Sequence, residues 1–167
     1  MKTHVIMLSK HFPAQHLHAG KPTFFSELLW NALNNTEATL VADDDDMSIQ
    51  VVGRKIHTIR ANFALWEKRI NEVERGEACL SIRQWKGRPY RSRQIELSRL
   101  TKDNGVGIQM LEFDKDSAEP IIDGSMGNYK YTELASNDGL SGLDFINWLG
   151  GKTLEPFAII HFTPFRY

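Results

Sequence analysis

The segment GRKIHTIR, residues 53 to 60, carries four potential cations in a chain whose formal charge is only −1. Within it, Lys55 and Thr58 are of the types that nucleophilic catalysis needs. A hydroxyl becomes a useful nucleophile when a base removes its proton, and a lysine whose pKa is lowered by burial can be that base. Arg54 and Arg60 would lower that pKa further and can hold an oxyanion or a phosphate. The same residues also fit a solvent-exposed basic strand edge.

The geometry of a regular strand works against contact between Lys55 and Thr58. Successive side chains alternate, so Lys55 and His57 lie on one face of a strand and Thr58 lies on the other. A turn or bulge near Gly53 would bring Lys55 and Thr58 together, because glycine adopts backbone conformations that other residues resist. We expect His57 to line the resulting pocket.

Asp138 supplies the carboxylate that the basic segment lacks. It precedes Gly139 at a predicted turn into a helix, where a carboxylate acts either as a helix cap or as a catalytic acid and base. A hydrolase needs Asp138 to point at Thr58, whereas a module that only binds a ligand can use Asp138 as a cap. Both interpretations stay open on the sequence alone.

A second basic concentration, residues 83 to 94, interleaves cations with flat aromatic rings. Guanidinium groups can meet phosphates while aromatic rings stack on bases, which is how proteins hold single-stranded nucleic acid. An ordinary solubilising hairpin tip has a similar composition. The binding residues predicted in this segment are Arg83, Trp85, Arg88, Tyr90 and Arg91.

The amino-terminal histidines His11, His16 and His18 have a spacing that can share a metal ion. No carboxylate or cysteine lies in the same segment, and the nearest, Glu27, falls in the following predicted helix. We therefore predict no metal site and no cofactor, and the role of the three histidines stays open.

Length and composition set the class of the protein. The chain has 167 residues, enough for one full-sized domain, and its 20 Lys and Arg balance 21 Asp and Glu. Anion binding must therefore come from local clusters of cations. Cys79 is the single cysteine, which excludes an internal disulfide and a thiolate-rich zinc site. The apolar run near the amino terminus is too short for a signal sequence or a membrane span, so we expect a soluble cytoplasmic protein.

Hydrophobic periodicity predicts the elements that must position these residues. Apolar residues at helical spacing indicate helices at 22–33, 61–75 and 140–149. Alternating or continuous apolar runs indicate strands at 5–8, 55–60, 78–85, 93–100, 106–113, 127–134 and 156–162. The pattern dissolves over residues 34–48, where Asp43 to Asp46 predict an exposed acidic loop.

Helices at both ends of a run of short strands predict an α+β domain. The simplest arrangement is a curled sheet or a small mixed β-barrel, flanked by two or three helices. No domain boundary is visible, so residues 1–167 are predicted to form one domain.

The chain resembles the ASCH domains of the PUA-like superfamily, small barrels associated with RNA. Their G-x-K-x-x-T-I-R signature is matched by Gly53, Lys55, Thr58, Ile59 and Arg60, and a second block by Asp138, Gly139, Leu140, Phe145 and Trp148. The resemblance covers roughly residues 50 to 162, and it implies that residues 1–50 are an amino-terminal elaboration of this domain. The chain is also similar to ASCH-like proteins of Bacteroides-type bacteria, for which the resemblance implies a fold and no established activity.

The resemblance implies two functions. The first is a module that binds RNA, a nucleotide or a nucleoside in a pocket around the motif, with Arg54, His57, Arg60 and the hairpin residues as contacts. The second is an amidohydrolase of an acylated nucleoside such as N4-acetylcytidine, since one branch of the family uses a lysine, a threonine and a glutamate. By motif position these roles fall on Lys55, Thr58 and Asp138, with Asp in place of Glu.

Overall fold

The computed structural model describes residues 1–42, 45–149 and 156–167. Within these ranges the strands are β1 (Lys2–Met7), β2 (Ala38–Ala42), β3 (Ser48–Val52), β4 (His57–Arg60), β5 (Ala78–Trp85), β6 (Gln94–Leu100), β7 (Gly107–Phe113), β8 (Pro120–Ile122) and β9 (Phe157–His161). The helices are α1 (Phe25–Leu33), α2 (Phe63–Glu74), α3 (Tyr131–Asn137) and α4 (Gly142–Leu149). The predicted α+β class is confirmed.

The strands form three separate sheets. One has the order β1-β5-β6, with β1 parallel to β5; β2 and β3 form a hairpin; and β4-β9-β7-β8 is antiparallel. Within the described ranges no ladder of hydrogen bonds joins these sheets, so the predicted closed barrel is corrected to three sheets. The four helices in those ranges also exceed the two or three that were predicted.

The hydrophobic core lies where α2 packs against β5, β7 and β9. Ile70 and Val73 of α2 are fully buried, and every residue of β9 is buried. Fully burying one such aliphatic side chain contributes about 1.5–3 kcal/mol. Asn62 begins α2, because its side chain accepts a hydrogen bond from the Leu65 backbone NH at 3.2 Å. None of the helices among the described residues is long and apolar enough to cross a membrane.

Two segments differ from their predicted conformations. Residues 34–48, predicted as a loop, contain β2 and the start of β3; Asp45 and Asp46 lie exposed in the connection, and Asp43 and Asp44 lie outside the described residues. Residues 127–134, predicted as a strand, instead lead into α3. The Glu133 side chain accepts a hydrogen bond from the Lys130 backbone NH at 3.2 Å, and this contact caps the start of α3.

The first fifty residues contribute directly to the core. Strand β1 pairs along its whole length with β5, and helix α1 buries Phe25, Leu28 and Leu29. Leu8, just after β1, is also buried. A wall of the candidate site described below is thus built from the segment that was predicted to be an elaboration.

Candidate functional site

A cavity of about 60 Å³ opens where the end of β1, helix α1, strand β4 and helix α4 meet. A water molecule needs about 10–15 Å³ of such volume, so the cavity has room for several waters or for one small group of a larger ligand. Its polar wall is formed by Ser9, Lys55, Thr58, Arg60 and Asp138. Its apolar wall is formed by Leu8, Phe25, Ile59, Leu140, Phe145, Trp148 and Leu149.

Lys55 and Asp138 form a buried ion pair in this wall. Lys55 is only 1% exposed, and its Nζ donates to the Asp138 carboxylate and, at 2.6 Å, to the Asp138 carbonyl oxygen. The Nζ also lies 4.1 Å from the centroid of the Phe25 ring. The backbones of Lys55 and Asp138 form a β-bridge, and the Ile56 NH donates to the Asn137 carbonyl at 2.9 Å. Two segments distant in sequence are therefore held side by side.

Burial pushes both members of this pair toward their neutral forms. Desolvation lowers the pKa of Lys55, an effect that the attraction of Asp138 opposes. Desolvation likewise raises the pKa of Asp138, and the attraction of Lys55 opposes it. Burial therefore favours transfer of a proton from Lys55 to Asp138, which would leave a neutral amine in the cavity wall, and the attraction between the two charges opposes that transfer.

Thr58 reaches the same cavity because β4 begins only after Lys55. Gly53 has a φ of 106°, and regular pairing with β9 starts at His57. Lys55 therefore lies outside the strict strand alternation that would separate it from Thr58. Thr58 is 5% exposed, and within the described residues its hydroxyl has no hydrogen-bond partner. The hydroxyl is thus available to a ligand.

Arg60 provides a donor to the cavity. Its Nη2 donates to the Met7 carbonyl at 2.6 Å, which fixes the guanidinium against the end of β1. Its Nε is buried and has no acceptor among the described residues. Desolvation lowers the pKa of Arg60, an effect that Asp138 opposes.

Asp138 is not the residue that caps α4. The Ser141 hydroxyl accepts from the Asp144 backbone NH at 3.1 Å and donates to the Asp144 carboxylate at 2.8 Å. These residues match the S/T-x-x-D/E capping pattern, a sequence signal that the prediction for Asp138 did not take into account. Because Ser141 caps α4, the Asp138 carboxylate is available to Lys55.

Gly139 permits this approach of Asp138 to Lys55. Its φ is 79°, and a Cβ there would lie 3.0 Å from a Leu28 methyl and 3.4 Å from the Lys55 Cβ. We expect Gly139→Ala to lower the free energy of unfolding by about 1–2 kcal/mol from the left-handed backbone alone, and further from these contacts. Gly124→Ala is the control, since Gly124 has a φ of 78° and open space around it. Equal losses in urea unfolding would contradict the packing argument.

The remaining predicted binding residues lie outside the cavity wall. Arg54 pairs with Glu37 on the α1 to β2 connection, and His57 points to the opposite face of β4. Arg83 donates to the Ser81 hydroxyl at 2.8 Å. None of these three side chains lines the cavity that contains Lys55, so their role as contacts of a ligand there stays a prediction.

The hairpin tip between β5 and β6 forms a separate exposed surface. Tyr90 is 89% exposed, and its ring centroid lies 5.3 Å from that of Trp85. Arg88 and Arg91 on either side of Tyr90 are also exposed. The predicted aromatic and basic combination is present there, although not at the cavity.

Two of the amino-terminal histidines contact α4 through Asp144. His18 Nδ1 lies 2.7 Å from the Asp144 carboxylate, and His16 Nε2 lies 3.7 Å from it, a set of atoms close enough to share a cation. However, His16 Nδ1 accepts the His18 backbone NH at 3.0 Å, so a neutral His16 carries its proton on Nε2. That proton can donate to the Asp144 carbonyl at 3.1 Å. In this tautomer Nε2 has no lone pair for a metal, and the histidines fasten the loop to α4.

A second buried polar cluster lies on the far face of β4. His57 Nε2 is 2.7 Å from the Tyr167 hydroxyl, which also receives a hydrogen bond from the Asn137 side chain at 2.9 Å. His161, paired with His57 across β4 and β9, lies with its Nε2 3.1 Å from the Gln109 side-chain oxygen. This cluster was not predicted, because nothing in the sequence relates Tyr167 to His57.

Because His57 and His161 are buried, we expect the folded chain to lose stability in acid. Desolvation lowers the pKa of His57 well below its usual value and that of His161 to about 3. The unfolded chain therefore binds more protons below about pH 6.5, so the free energy of unfolding should fall by up to about 1.4 kcal/mol per pH unit for each histidine. Urea unfolding between pH 7 and 4 measures this slope. His161→Gln should remove about half of it, and an unchanged slope would contradict the assignment.

Comparison with protein-family models, with curated proteins and with solved structures finds no match to the chain.

Proposed function

We propose that the chain is an amidohydrolase that removes an acyl group from a nucleoside amide such as N4-acetylcytidine. Thr58 is the nucleophile, Lys55 is its base and Asp138 is the proton partner of Lys55. The observation that carries the proposal is the buried Lys55 and Asp138 pair in the wall of a small cavity that also contains Thr58. A PUA-like fold of the ASCH type belongs to the same proposal, because Lys55, Thr58 and Arg60 of the motif line one cavity.

The first half of the reaction forms an ester on Thr58. With its proton transferred to Asp138, the neutral Lys55 amine accepts the Thr58 hydroxyl proton while Oγ1 attacks the amide carbonyl carbon. The oxygen of the tetrahedral intermediate gains negative charge, and the Arg60 guanidinium, which lines the cavity, can stabilise it. The C–N bond then breaks, the Lys55 ammonium donates its proton to the leaving amine, and the nucleoside departs.

The second half restores the enzyme. Lys55, neutral again, accepts a proton from a water molecule that attacks the ester carbonyl carbon. The bond between that carbon and Thr58 Oγ1 breaks, and the proton held by Lys55 passes to Oγ1. The products are a carboxylic acid and free Thr58, so atoms and charges balance without an additional reactant.

The size of the cavity favours a small acyl group. A volume of about 60 Å³ accommodates an acetyl group, while the nucleoside ring must lie at the entrance. Incubation of the chain with N4-acetylcytidine, followed by chromatography of cytidine and acetate, tests the proposal. We expect the rate of hydrolysis to rise with pH as the Lys55 and Asp138 pair loses its proton. No release of cytidine between pH 6 and 10 would overturn it.

A second candidate function is binding of a nucleoside or nucleotide without turnover. It would use the same cavity, with Arg60 as donor to the ligand and the Phe25 and Trp148 rings as flat walls. Calorimetric titration with N4-acetylcytidine and cytidine separates the two candidates. Saturable binding with unchanged ligand at the end of the titration favours this second function.

RNA binding would use the exposed hairpin tip, where Arg88 and Arg91 flank the Trp85 and Tyr90 rings. We expect Arg88→Ala/Arg91→Ala to weaken binding of single-stranded RNA. Removing two cations that each neutralise one phosphate should reduce the slope of log K against log salt by about 1.4. Fluorescence anisotropy at several salt concentrations measures this slope.

The control for this experiment is Lys68→Ala/Arg75→Ala, which removes the same charge from exposed positions on and just after α2. Equal weakening by the two double variants would indicate an effect of total charge and would contradict a site at the hairpin.

A further inference from the structure

We infer that Tyr167 and His57 are positioning residues, which fix Thr58 against the Lys55 and Asp138 pair from the far face of β4. The inference rests on the proposed function. Neither side chain lines the cavity, so neither touches the reacting atoms. Tyr167 instead contacts Asn137, which directly precedes Asp138, and His57, which directly precedes Thr58.

The Tyr167 hydroxyl connects the two segments that carry the site. A tyrosine hydroxyl has one proton, and this oxygen accepts the Asn137 side-chain NH at 2.9 Å. His57 Nε2 lies 2.7 Å from the same oxygen, and the two atoms share a hydrogen bond in either tautomer of His57. Asn137 directly precedes Asp138, and His57 directly precedes Thr58. One oxygen atom thus links the backbone positions next to the carboxylate and next to the nucleophile.

The position of Tyr167 is itself fixed by the four-stranded sheet. Its backbone NH donates to the Gln109 side-chain oxygen at 2.9 Å, and the Gln109 side-chain NH donates to the Tyr167 backbone oxygen at 3.3 Å. The rings of Tyr129 and Phe165 each lie with their centroids 5.0 Å from that of Tyr167. The hydroxyl therefore has a defined location relative to β7 and, through β9, to β4.

Few other contacts could set this spacing. The end of α3 meets the segment before β4 through the Lys55 and Asp138 bridge and the Ile56 to Asn137 hydrogen bond. Among the residues that the structure describes, β4 pairs only with β9, so no strand ladder joins Thr58 to Asp138 directly. The distance from Thr58 to Asp138 therefore depends on how His57 and Asn137 are held, and the Tyr167 hydroxyl joins those two side chains. Misplacing a reacting group by about 1 Å can reduce the rate about 100-fold.

The test compares Tyr167→Phe with the wild-type chain. The substitution keeps the ring and removes only the hydroxyl, so the chain is expected to fold. We expect kcat for N4-acetylcytidine to fall about 10- to 100-fold with KM changed less than about twofold, because ligand contacts are unaffected. His57→Leu should have a similar effect, and His57→Gln, whose side-chain oxygen can accept from Tyr167, should restore most of kcat. The double variant Tyr167→Phe/His57→Leu should be no worse than either single one.

A second measurement does not require turnover. The NMR signal of the Lys55 ε-methylene group reports the environment and titration of the ion pair. We expect Tyr167→Phe to move this signal and its titration midpoint, whereas Gly76→Ala, at a left-handed position just after α2, should destabilise the chain and leave both in place. If hydrolysis is absent but the Lys55 signal moves, the proposed function fails and the coupling stands. If Tyr167→Phe lowers stability and leaves the Lys55 signal and kcat unchanged, the inference is overturned.

Discussion

Replacing Lys55 by methionine should lower the free energy of unfolding by about 3–5 kcal/mol and abolish hydrolysis. Methionine retains most of the side-chain volume, so the principal change is the loss of the ammonium group. The Asp138 carboxylate would then remain buried without its partner, and breaking one side of a buried ion pair is costly for that reason. Urea unfolding at pH 7 measures the loss. Lys68→Met, at an exposed position on α2, is the matched control and should change stability little.

The pH dependence of this variant gives a second check. Burial raises the pKa of Asp138 above its unfolded value, and the loss of Lys55 removes the opposing attraction. The charged carboxylate then destabilises the folded chain at high pH, and the deficit should shrink as the pH falls and Asp138 takes up a proton. Lys55→Met/Asp138→Leu should recover stability but not activity, since no buried charge remains. A deficit that is independent of pH would contradict this explanation.

Replacing Thr58 by alanine should reduce hydrolysis by a factor on the order of 10³ or more while lowering stability by about 1 kcal/mol or less. The stability effect is small because the hydroxyl faces the cavity and has no hydrogen-bond partner among the described residues. Thr58→Ser keeps a hydroxyl oxygen at the position of the proposed nucleophile and should retain measurable activity. Steady-state release of cytidine from N4-acetylcytidine measures both variants.

The control for Thr58 is Thr132→Ala, an exposed threonine on α3. It should leave the rate unchanged. Mass spectrometry of the wild-type chain quenched during turnover should also find an acetyl group on Thr58. Activity that survives in Thr58→Ala would show that the hydroxyl is not the nucleophile, whatever the role of Lys55.

The sequence predicted those parts of the fold whose periodicity extends over a whole element. Helix α2, strands β5 and β7 and the buried strand β9 were all expected close to their observed bounds. The prediction of a strand over residues 127–134 was wrong. Alternation of apolar and polar residues over so few positions is a weak signal for a strand, and the Glu133 side chain caps a helix there instead. The β2 and β3 hairpin was missed because much of its surface is exposed and its apolar pattern is weak.

The candidate site was predicted in part. Lys55, Thr58 and Asp138 could be named from residue type and motif spacing. Their meeting depends on where β4 starts and on the left-handed conformation of Gly139, which local propensity does not determine. The aromatic wall and the Tyr167 cluster depend on contacts between distant parts of the chain. Asp144, which meets His18 across 126 residues, could not be assigned as its partner from sequence.

The buried ion pair also constrains the order of folding. Lys55 and Asp138 are separated by 83 residues, and the cavity wall runs from Leu8 to Leu149. During synthesis, Lys55 leaves the ribosome long before its carboxylate partner and must stay hydrated until α3 is complete. Contacts of such long range form slowly and are completed late, because the intervening chain loses entropy when its ends meet. We therefore expect the two charges to pair late in folding, since a chain that collapses without Asp138 in place would bury an uncompensated ammonium group.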